Sequence, residues 1–384
     1  MQSFNKKTGR YIGRYKNYDV YSNEIVRISE ENKEDINKKL PGEITFNYGP
    51  SAGGLEESVN FNIITPGERI NSVRVDSSFK RRNIKILNDS VDSALLKVER
   101  INGYHSASNS ICFLLAVENA LNIENGESNN KRIIEIELER IRSNLHVIKC
   151  LAESAGFSIP EKQLSYLIED VSRIISTVFK HRYFFGANYI NDVNGNFNNL
   201  NESILKIKNE FMVIYQDLLT SKIFMDRLQE NGTVRDMNST GPAARASGYN
   251  YDARLDSSSL YYESYKIFTG SSGDVFSRFM VRSDEVFSSI ELIENTEIKE
   301  NESKNKYDLN KSGTGYARIE SPQGDLFYHV DIKDGRINDI LMVSPSYLNI
   351  KLFEKAMPGN IFTDFFFVWE SFGIWISEKE VNFI

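Results

Sequence analysis

The sequence predicts a mainly α protein with small β regions, an α+β fold with an N-terminal β layer, a helical bundle and a C-terminal α+β segment. Two observations predict it. Apolar residues recur at helical spacing over 90–123, 131–156, 160–180, 198–231 and 273–296. Short β-prone runs separated by Gly and Pro lie between Glu43 and Val75, and strand-like runs return after Gly315.

These changes of pattern divide the chain into four regions. Residues 1–89 are β-rich, 90–296 form the helical core, 297–312 are a Lys/Glu/Asn-rich linker or mobile loop, and 313–384 close the core. The predicted strands are Ile44–Tyr48, Val59–Ile64, Val73–Val75, Tyr316–Ile319, Leu326–Ile332 and Ile337–Met342. A final helix is predicted near 350–369.

Composition limits the classes of function. The formal net charge of -7 gives no basic excess, so nucleic acid is not expected as a partner. Cys112 and Cys150 lie in apolar helical patterns and are expected to be buried thiols, which suits a reducing cytoplasm. Met1–Val20 lacks the apolar core of a secretory signal, and the charged residues of Ile361–Ile376 argue against a membrane span. Membrane association is therefore expected only through partner subunits.

Three segments carry specific motifs. The first combines Glu99–Ser106, ERINGYHS, with Glu137–Ser143, ELERIRS. The second is Thr240–Arg254, TGPAARASGYNYDAR, and the third is Gly273–Arg282, GDVFSRFMVR. Together they resemble the signatures of the family that unites the large subunit of membrane-bound (group 4) nickel-iron hydrogenases with the 49-kDa, D-type subunit of NADH:quinone oxidoreductase. The resemblance runs from about residue 49 to residue 376 and implies that family's fold.

The resemblance also locates the family's nickel site. Nickel is held there by two Cys-x-x-Cys pairs, because four soft thiolates select a redox-active transition metal. The first pair falls on Asn102 and His105, and the second falls on Ile374 and Ser377. None of these four residues is a cysteine, so the resemblance implies a degenerate site, and we expect no metal in this chain.

The complex I branch of the family holds a quinone headgroup in the same cavity through a His and a Tyr. The resemblance places these at Ala52 and Gly103, which carry neither donor. Tyr104 and His105 are the candidates to donate protons instead, since a phenol and an imidazole can form such a pair. The alternative is that both are ordinary core residues.

Four charged residues have counterparts in the family. Arg82 aligns with an Arg near the terminal iron-sulfur cluster of the small subunit, where its charge would tune the cluster's potential. A solvated basic turn is the alternative. Arg245, Asp252 and Arg254 line the interior in the family, and structural ion pairs are expected there in preference to catalysis.

The remaining signals predict no further site. His146, His181 and His329 have no His-x-x-x-His or Cys-x-x-Cys nearby, so no ligand role is expected. Gly313-Thr314-Gly315 lacks the rest of a dinucleotide fingerprint, so this subunit should not bind NAD itself.

The resemblance thus implies an oxidoreductase subunit at the cytoplasmic side of the membrane, peripheral to it. It would pass electrons from an iron-sulfur small subunit to quinone or another acceptor, with the cluster in the partner and no cofactor held by this chain. The alternative is a catalytically inactive structural subunit that couples the iron-sulfur arm to the membrane module. Whether the chain is an enzyme stays open, because fold does not establish chemistry.

Overall fold

The computed structural model describes residues 9–28, 40–124, 126, 128–256, 259–263, 265–298 and 307–384. Half of the predicted linker at 297–312, residues 299–306, lies outside the described residues, as do residues 1–8 of the predicted β-rich region. The predicted fold class is confirmed, since long helices dominate and the sheets are small.

The N-terminal region consists of short strands. They are β1 (Tyr11–Tyr15), β2 (Tyr18–Tyr21), β3 (Ile25–Arg27), β4 (Ile44–Tyr48), β5 (Asn60–Thr65), β6 (Ser72–Asp76) and β7 (Arg82–Ile84). β1, β2 and β3 form one antiparallel sheet, and β4, β5 and β6 form another. In β5, Phe61, Ile63 and Thr65 are buried while the residues between them are half-buried, so one face of this sheet packs on the core.

The middle of the chain is helical. Its elements are α1 (Val91–Val98), α2 (Ser106–Leu121), α3 (Asn129–Ser154), α4 (Ser158–Phe179), β8 (Asn188–Tyr189), β9 (Asp192–Val193), α5 (Leu200–Thr220), α6 (Lys222–Leu228), α7 (Gly241–Ala246), α8 (Ala253–Asp256) and α9 (Val275–Asn295). α3 packs against α4 and α9, and α2 packs against α3 and the C-terminal sheet. The predicted continuous helix at 90–123 was wrong, because a turn at 99–105 separates α1 from α2.

The C-terminal region returns to mixed structure. It contains β10 (Gly313–Ser321), β11 (Gly324–Lys333), β12 (Arg336–Val343), α10 (Ser346–Ala356), α11 (Phe365–Ser371), α12 (Ile376–Lys379) and β13 (Val381–Phe383). β10, β11 and β12 form an antiparallel meander. The predicted final helix at 350–369 is interrupted around Pro358 and Gly359, where proline and glycine do not continue a helix.

One hydrophobic core joins most of these elements. It runs from β5 through α2, α3 and α9 to the C-terminal helices. The apolar stretch 361–376 packs into this core; Phe365 and Trp369, for example, lie edge-on to Phe61. Among the described residues, we find no helix long and apolar enough to cross a membrane. Cys112 and Cys150 are both buried and unpaired, as predicted.

Candidate functional site

A pocket of about 460 Å³ opens where distant segments of the chain meet. Its lining comes from 79–82 just before and at the start of β7, from 100–103 between α1 and α2, and from 375–377 at the start of α12. Glu57, in the loop between β4 and β5, completes it. The lining includes four cationic side chains, those of Lys80, Arg81, Arg82 and Arg100. The pocket is therefore basic, although the whole chain has a net charge of -7.

Strand pairing and charge-assisted hydrogen bonds hold these segments together. β7 pairs in parallel with β13, with Arg82 opposite Val381, which brings the C-terminal end of the chain beside the basic turn. The Arg82 guanidinium donates to the backbone carbonyls of Ile101 and Arg100 and so ties β7 to the 99–105 turn. The Glu57 carboxylate accepts a hydrogen bond from the backbone N–H of Ser377 at 3.2 Å. The β4–β5 loop is thereby fastened to α12.

The four predicted nickel positions do not offer a ligand set. Asn102 and Ser377 line the pocket, whereas His105 is buried behind it. Asn102 donates from Nδ2 to Glu378 Oε1 at 3.1 Å, and His105 Nδ1 lies 2.7 Å from the same oxygen. Ile374 has no donor atom. The Asn102 amide and the His105 imidazole already bind a carboxylate, and Ser377 offers only a hydroxyl. This set does not fit a nickel ion, which thiolates bind in the family.

Glu378 is the centre of this arrangement and was not predicted from the sequence. Burial alone would raise the pKa of its carboxyl, but His105 and hydrogen bonds from Ser344 and Asn102 hold that pKa below its usual value. The second ring nitrogen of His105 lies 3.2 Å from the Ser143 hydroxyl on α3. His105 is therefore fixed between α12 and α3.

Tyr104 has other polar neighbours than His105, although both rings contact Trp375. The Tyr104 ring stacks on Trp375, with centroids 5.1 Å apart, and lies 4.9 Å from the His146 ring. The guanidinium of Arg142, on α3, is 5.1 Å from the centroid of the Tyr104 ring. Burial raises the pKa of the Tyr104 phenol. Neither predicted proton donor is among the residues that line the pocket, although their neighbours Gly103 and Trp375 are.

The pocket lining includes only one of the two predicted quinone positions. Gly103 lines the pocket, whereas Ala52, in the β4–β5 loop, is not among the lining residues. A Cβ atom at Gly103 would lie 3.5 Å from the ring of Tyr183, in the loop after α4. The Tyr183 side chain thus lies beside Gly103, the position at which the resemblance places a tyrosine. Sequence reasoning missed it because α2, α3 and α4 lie between the two residues in the chain.

Arg245, Asp252 and Arg254 lie in the interior and not at the pocket. Arg245 pairs with Asp252 at 2.9 Å and with Glu320 at 2.8 Å, and Arg254 pairs with Asp252 at 2.7 Å. Glu285 of α9 also bonds Arg245. Burial would raise the pKa of Asp252, but Arg254 and Arg245 hold it below its usual value. These ion pairs join α7, α8, α9 and β10.

Comparisons with known proteins point to one group. The family model of the 49 Kd subunit of respiratory-chain NADH dehydrogenase matches residues 165–312. The D-type subunit of NADH-quinone oxidoreductase from Trichlorobacter lovleyi is 26% identical over 372 residues, which are 84% of this chain and 94% of that protein. Membrane-bound hydrogenase subunit alpha of Pyrococcus furiosus is 27% identical over 365 residues, 85% of each chain.

A solved structure agrees. A chain of the membrane-bound sulfane sulfur reductase, an archaeal respiratory membrane complex, superposes with a TM-score of 0.81 at 17% identity, over 88% of this chain and 98% of that chain. At this identity the likeness concerns the fold. The resemblance predicted from the motifs is thus confirmed, since the homologues of this chain are D-type subunits of NADH-quinone oxidoreductase and a membrane-bound hydrogenase subunit alpha.

Proposed function

We propose that the chain is the large subunit of a complex I-like or group 4 hydrogenase-like oxidoreductase, peripheral on the cytoplasmic side of a membrane. In this proposal, electrons pass from an iron-sulfur cluster in a partner small subunit to quinone or another acceptor at the basic pocket. The observation that carries the proposal is the pocket itself. Arg82, Asn102, Gly103 and Ser377, which the family resemblance singled out and which come from three separate segments of the chain, line one open cavity.

The charge of the pocket supports an acceptor that is, or becomes, anionic. The side chains of Lys80 and Arg81 make no hydrogen bond among the described residues, and the only opposite charges acting on them there are the nearby carboxylates of Glu57 and Glu380. Their ammonium and guanidinium groups can therefore still bind a ligand or a partner. Fixed cations stabilise negative charge that develops on a bound group. Arg82, by contrast, is held by two backbone carbonyls and would act on a neighbouring cluster through its charge.

Nickel has no part in this proposal. Asn102, His105, Ile374 and Ser377 do not provide the soft donors that a nickel site requires. The pocket would work by hydrogen bonding and charge, with the redox cofactor in the partner subunit and the membrane module reached through further partners.

A second candidate function is a catalytically inactive structural subunit that couples the iron-sulfur arm to the membrane module. One observation favours it. His105 is fixed between Glu378 and Ser143, and Tyr104 is packed between Trp375 and Arg142, as expected of core residues. Under this hypothesis neither residue donates a proton to a substrate.

Electron-transfer assays on the purified complex separate the two. We would compare Lys80→Ala/Arg81→Ala and Tyr104→Phe/His105→Ala complexes with the wild type, and use Lys162→Ala, an exposed charge on α4, as the control. The leading proposal expects slower transfer from cluster to acceptor in the Lys80/Arg81 variant while the complex stays assembled. Slower electron transfer in an assembled Tyr104/His105 complex would assign proton donation to that pair. Unchanged electron transfer in both double variants would support the structural-subunit hypothesis.

A further inference from the structure

A second group of polar side chains converges near the pocket residue Trp375. His146 and Cys150 lie four residues apart on α3, so they project from the same face of the helix. His146 Nε2 is 3.1 Å from Glu56 Oε2 in the β4–β5 loop and 3.7 Å from Cys150 Sγ. One donor atom from each of these three residues lies within 4.8 Å of the other two.

A carboxyl group from the C-terminal region lies beside these three donors. Glu370, on α11, interacts with the Cys150 thiol, although its carboxyl group is not among the three donors that converge within 4.8 Å. The four residues, Glu56, His146, Cys150 and Glu370, are called the Cys150 cluster below. Its members come from a loop, from α3 and from α11, and their thiol, imidazole and carboxylate groups are the donors found in protein zinc sites.

We propose that the Cys150 cluster binds one divalent transition-metal ion, of which Zn²⁺ best suits the donor set. In a tetrahedral zinc site, with bonds of about 2.0 to 2.3 Å, neighbouring donor atoms lie about 3.3 to 3.8 Å apart. The Cys150–His146 separation of 3.7 Å lies within that range, and the His146–Glu56 separation of 3.1 Å is close to it. An ion can therefore enter without rearrangement of α3.

The surroundings suit a structural ion. The rings of Tyr104 and Trp375 pack against His146, at 4.9 and 5.9 Å between centroids, and fix the orientation of the imidazole. Cys150 is only 6% exposed, whereas the Glu56 side chain is 44% exposed and leaves a path for the ion. On binding, the Cys150 thiol gives its proton to solvent and the thiolate takes its place on the metal.

The bound ion would tie three distant segments together beside the pocket. Glu56 belongs to the loop whose Glu57 lines the pocket, and His146 contacts the pocket residue Trp375. The expectation that His146 has no ligand role rested on the absence of Cys-x-x-Cys and His-x-x-x-His pairs nearby. A His-x-x-x-Cys pair completed by two remote glutamates escapes that pattern. The inference does not depend on the proposed electron-transfer function.

The test uses the purified full-length chain after treatment with a chelator. Co²⁺ is titrated first, because a cobalt–thiolate bond gives a charge-transfer absorption in the near ultraviolet, and Zn²⁺ is then added as competitor. We expect one Co²⁺ per chain, the thiolate band, and its loss as Zn²⁺ displaces the cobalt. A wild-type chain without this band would overturn the proposal.

Matched variants locate the site. Cys150→Ser should abolish the band, whereas Cys112→Ser should keep it, because Cys112 is equally buried but lies against β10 and β11. Glu56→Gln, at an exposed position that should not disturb folding, should weaken Zn²⁺ binding by at least about tenfold. A band that survives Cys150→Ser, a band lost in Cys112→Ser, or unchanged Zn²⁺ affinity in Glu56→Gln would each contradict the assigned ligands.

Discussion

His105 Nδ1 and Glu378 Oε1 lie 2.7 Å apart, and their side chains are only 1% and 2% exposed. His105 stands at one expected nickel-ligand position, and Glu378 follows another, Ser377, in the sequence. The two segments that the family's nickel site would join are thus joined here by a buried hydrogen bond. The same carboxylate also binds Asn102 and Ser344, so it organises the inner wall of the pocket.

Replacement of this carboxylate should destabilise the fold. In Glu378→Gln, the amide is a weaker acceptor for His105, Asn102 and Ser344, and its NH₂ group meets other donors. Hydrogen bonds to a charged group contribute about 1.5 to 3 kcal/mol each, so we expect a loss of about 2 to 3 kcal/mol in the free energy of unfolding. Urea denaturation measures it. Glu153→Gln, at a side chain 61% exposed on α3, should change it by less than about 0.5 kcal/mol. Equal effects of the two changes would contradict the role of Glu378.

The interior ion pairs predict a larger effect. Asp252→Asn leaves Arg245 and Arg254 buried with one fewer negative partner. Removal of one member of a buried ion pair typically costs about 3 to 5 kcal/mol, and we expect a loss in that range. The control is Asp256→Asn in the same segment, where the carboxylate is 59% exposed and pairs with Arg318 at 3.2 Å. It should cost less than about 1 kcal/mol. If Asp252→Asn lowers the free energy of unfolding by less than this range, Arg245 and Arg254 find other partners and the prediction is wrong.

Acid should weaken the same network through Glu285. Burial would raise the pKa of Glu285, but Arg245 and Arg140 hold it below its usual value of 4.5. The folded protein therefore binds this proton less readily than the unfolded chain does. Its contribution to stability is present above pH 4.5 and is lost as the pH falls through the folded-state pKa.

The measurement is the free energy of unfolding from about pH 6 to about pH 3, in the wild type and in Glu285→Gln. The wild type should be more stable at the upper end, and its advantage should shrink toward the lower end. Parallel curves for the two proteins would mean that Glu285 is not ionised more readily in the folded state.

Gly373, next to Ile374, is required by both backbone and packing. Its φ is +62°, and a Cβ atom there would collide with the side chain of Gln323. Gln323 accepts a hydrogen bond from Arg282 at 2.7 Å and donates one to Ser143 at 2.9 Å. Gly373→Ala should therefore both strain the backbone and displace Gln323. We expect it to lower the free energy of unfolding by about 2 to 4 kcal/mol.

Gly359→Ala is the control for this prediction. Gly359 has a φ of +90°, but a Cβ atom there would meet nothing within 4 Å. Gly359→Ala should therefore lower the free energy of unfolding only through backbone strain, by about 1 to 2 kcal/mol. Urea unfolding of both variants isolates the packing contribution, and equal losses would show that Gln323 can move away at no cost.

Helical periodicity was sufficient to predict the long helices, but not where they break. The turn at 99–105 contains no proline, and Ile101 continues the apolar spacing of α1, so the break is marked only by Asn102 and Gly103. The sheet of β1, β2 and β3 was not predicted as separate strands, because its sequence is rich in Lys, Arg and Tyr. Its buried residues Ile12 and Val20 form a small core with Phe327, Leu341 and Val343 of the C-terminal sheet, which lie far from them in the sequence.

The family resemblance located part of the pocket, since Arg82, Asn102, Gly103 and Ser377 do line it. They could not identify Glu57 or Glu378, whose roles depend on tertiary contacts with α12 and with the 99–105 turn. The Cys150 cluster was hidden for the same reason, because it is completed by residues from a loop and from α11. Pattern reasoning finds ligands that share a helix or a short motif, and these sites are assembled from remote segments.

The central claim is that the pocket serves its complex without nickel, and metal analysis tests it most directly. The complex is purified with this chain in place, and nickel is measured by mass spectrometry against the amount of the chain, in the wild type and in Ser377→Ala. We expect nickel only at trace level in both. One nickel per chain in the wild type, lost in Ser377→Ala, would contradict the account.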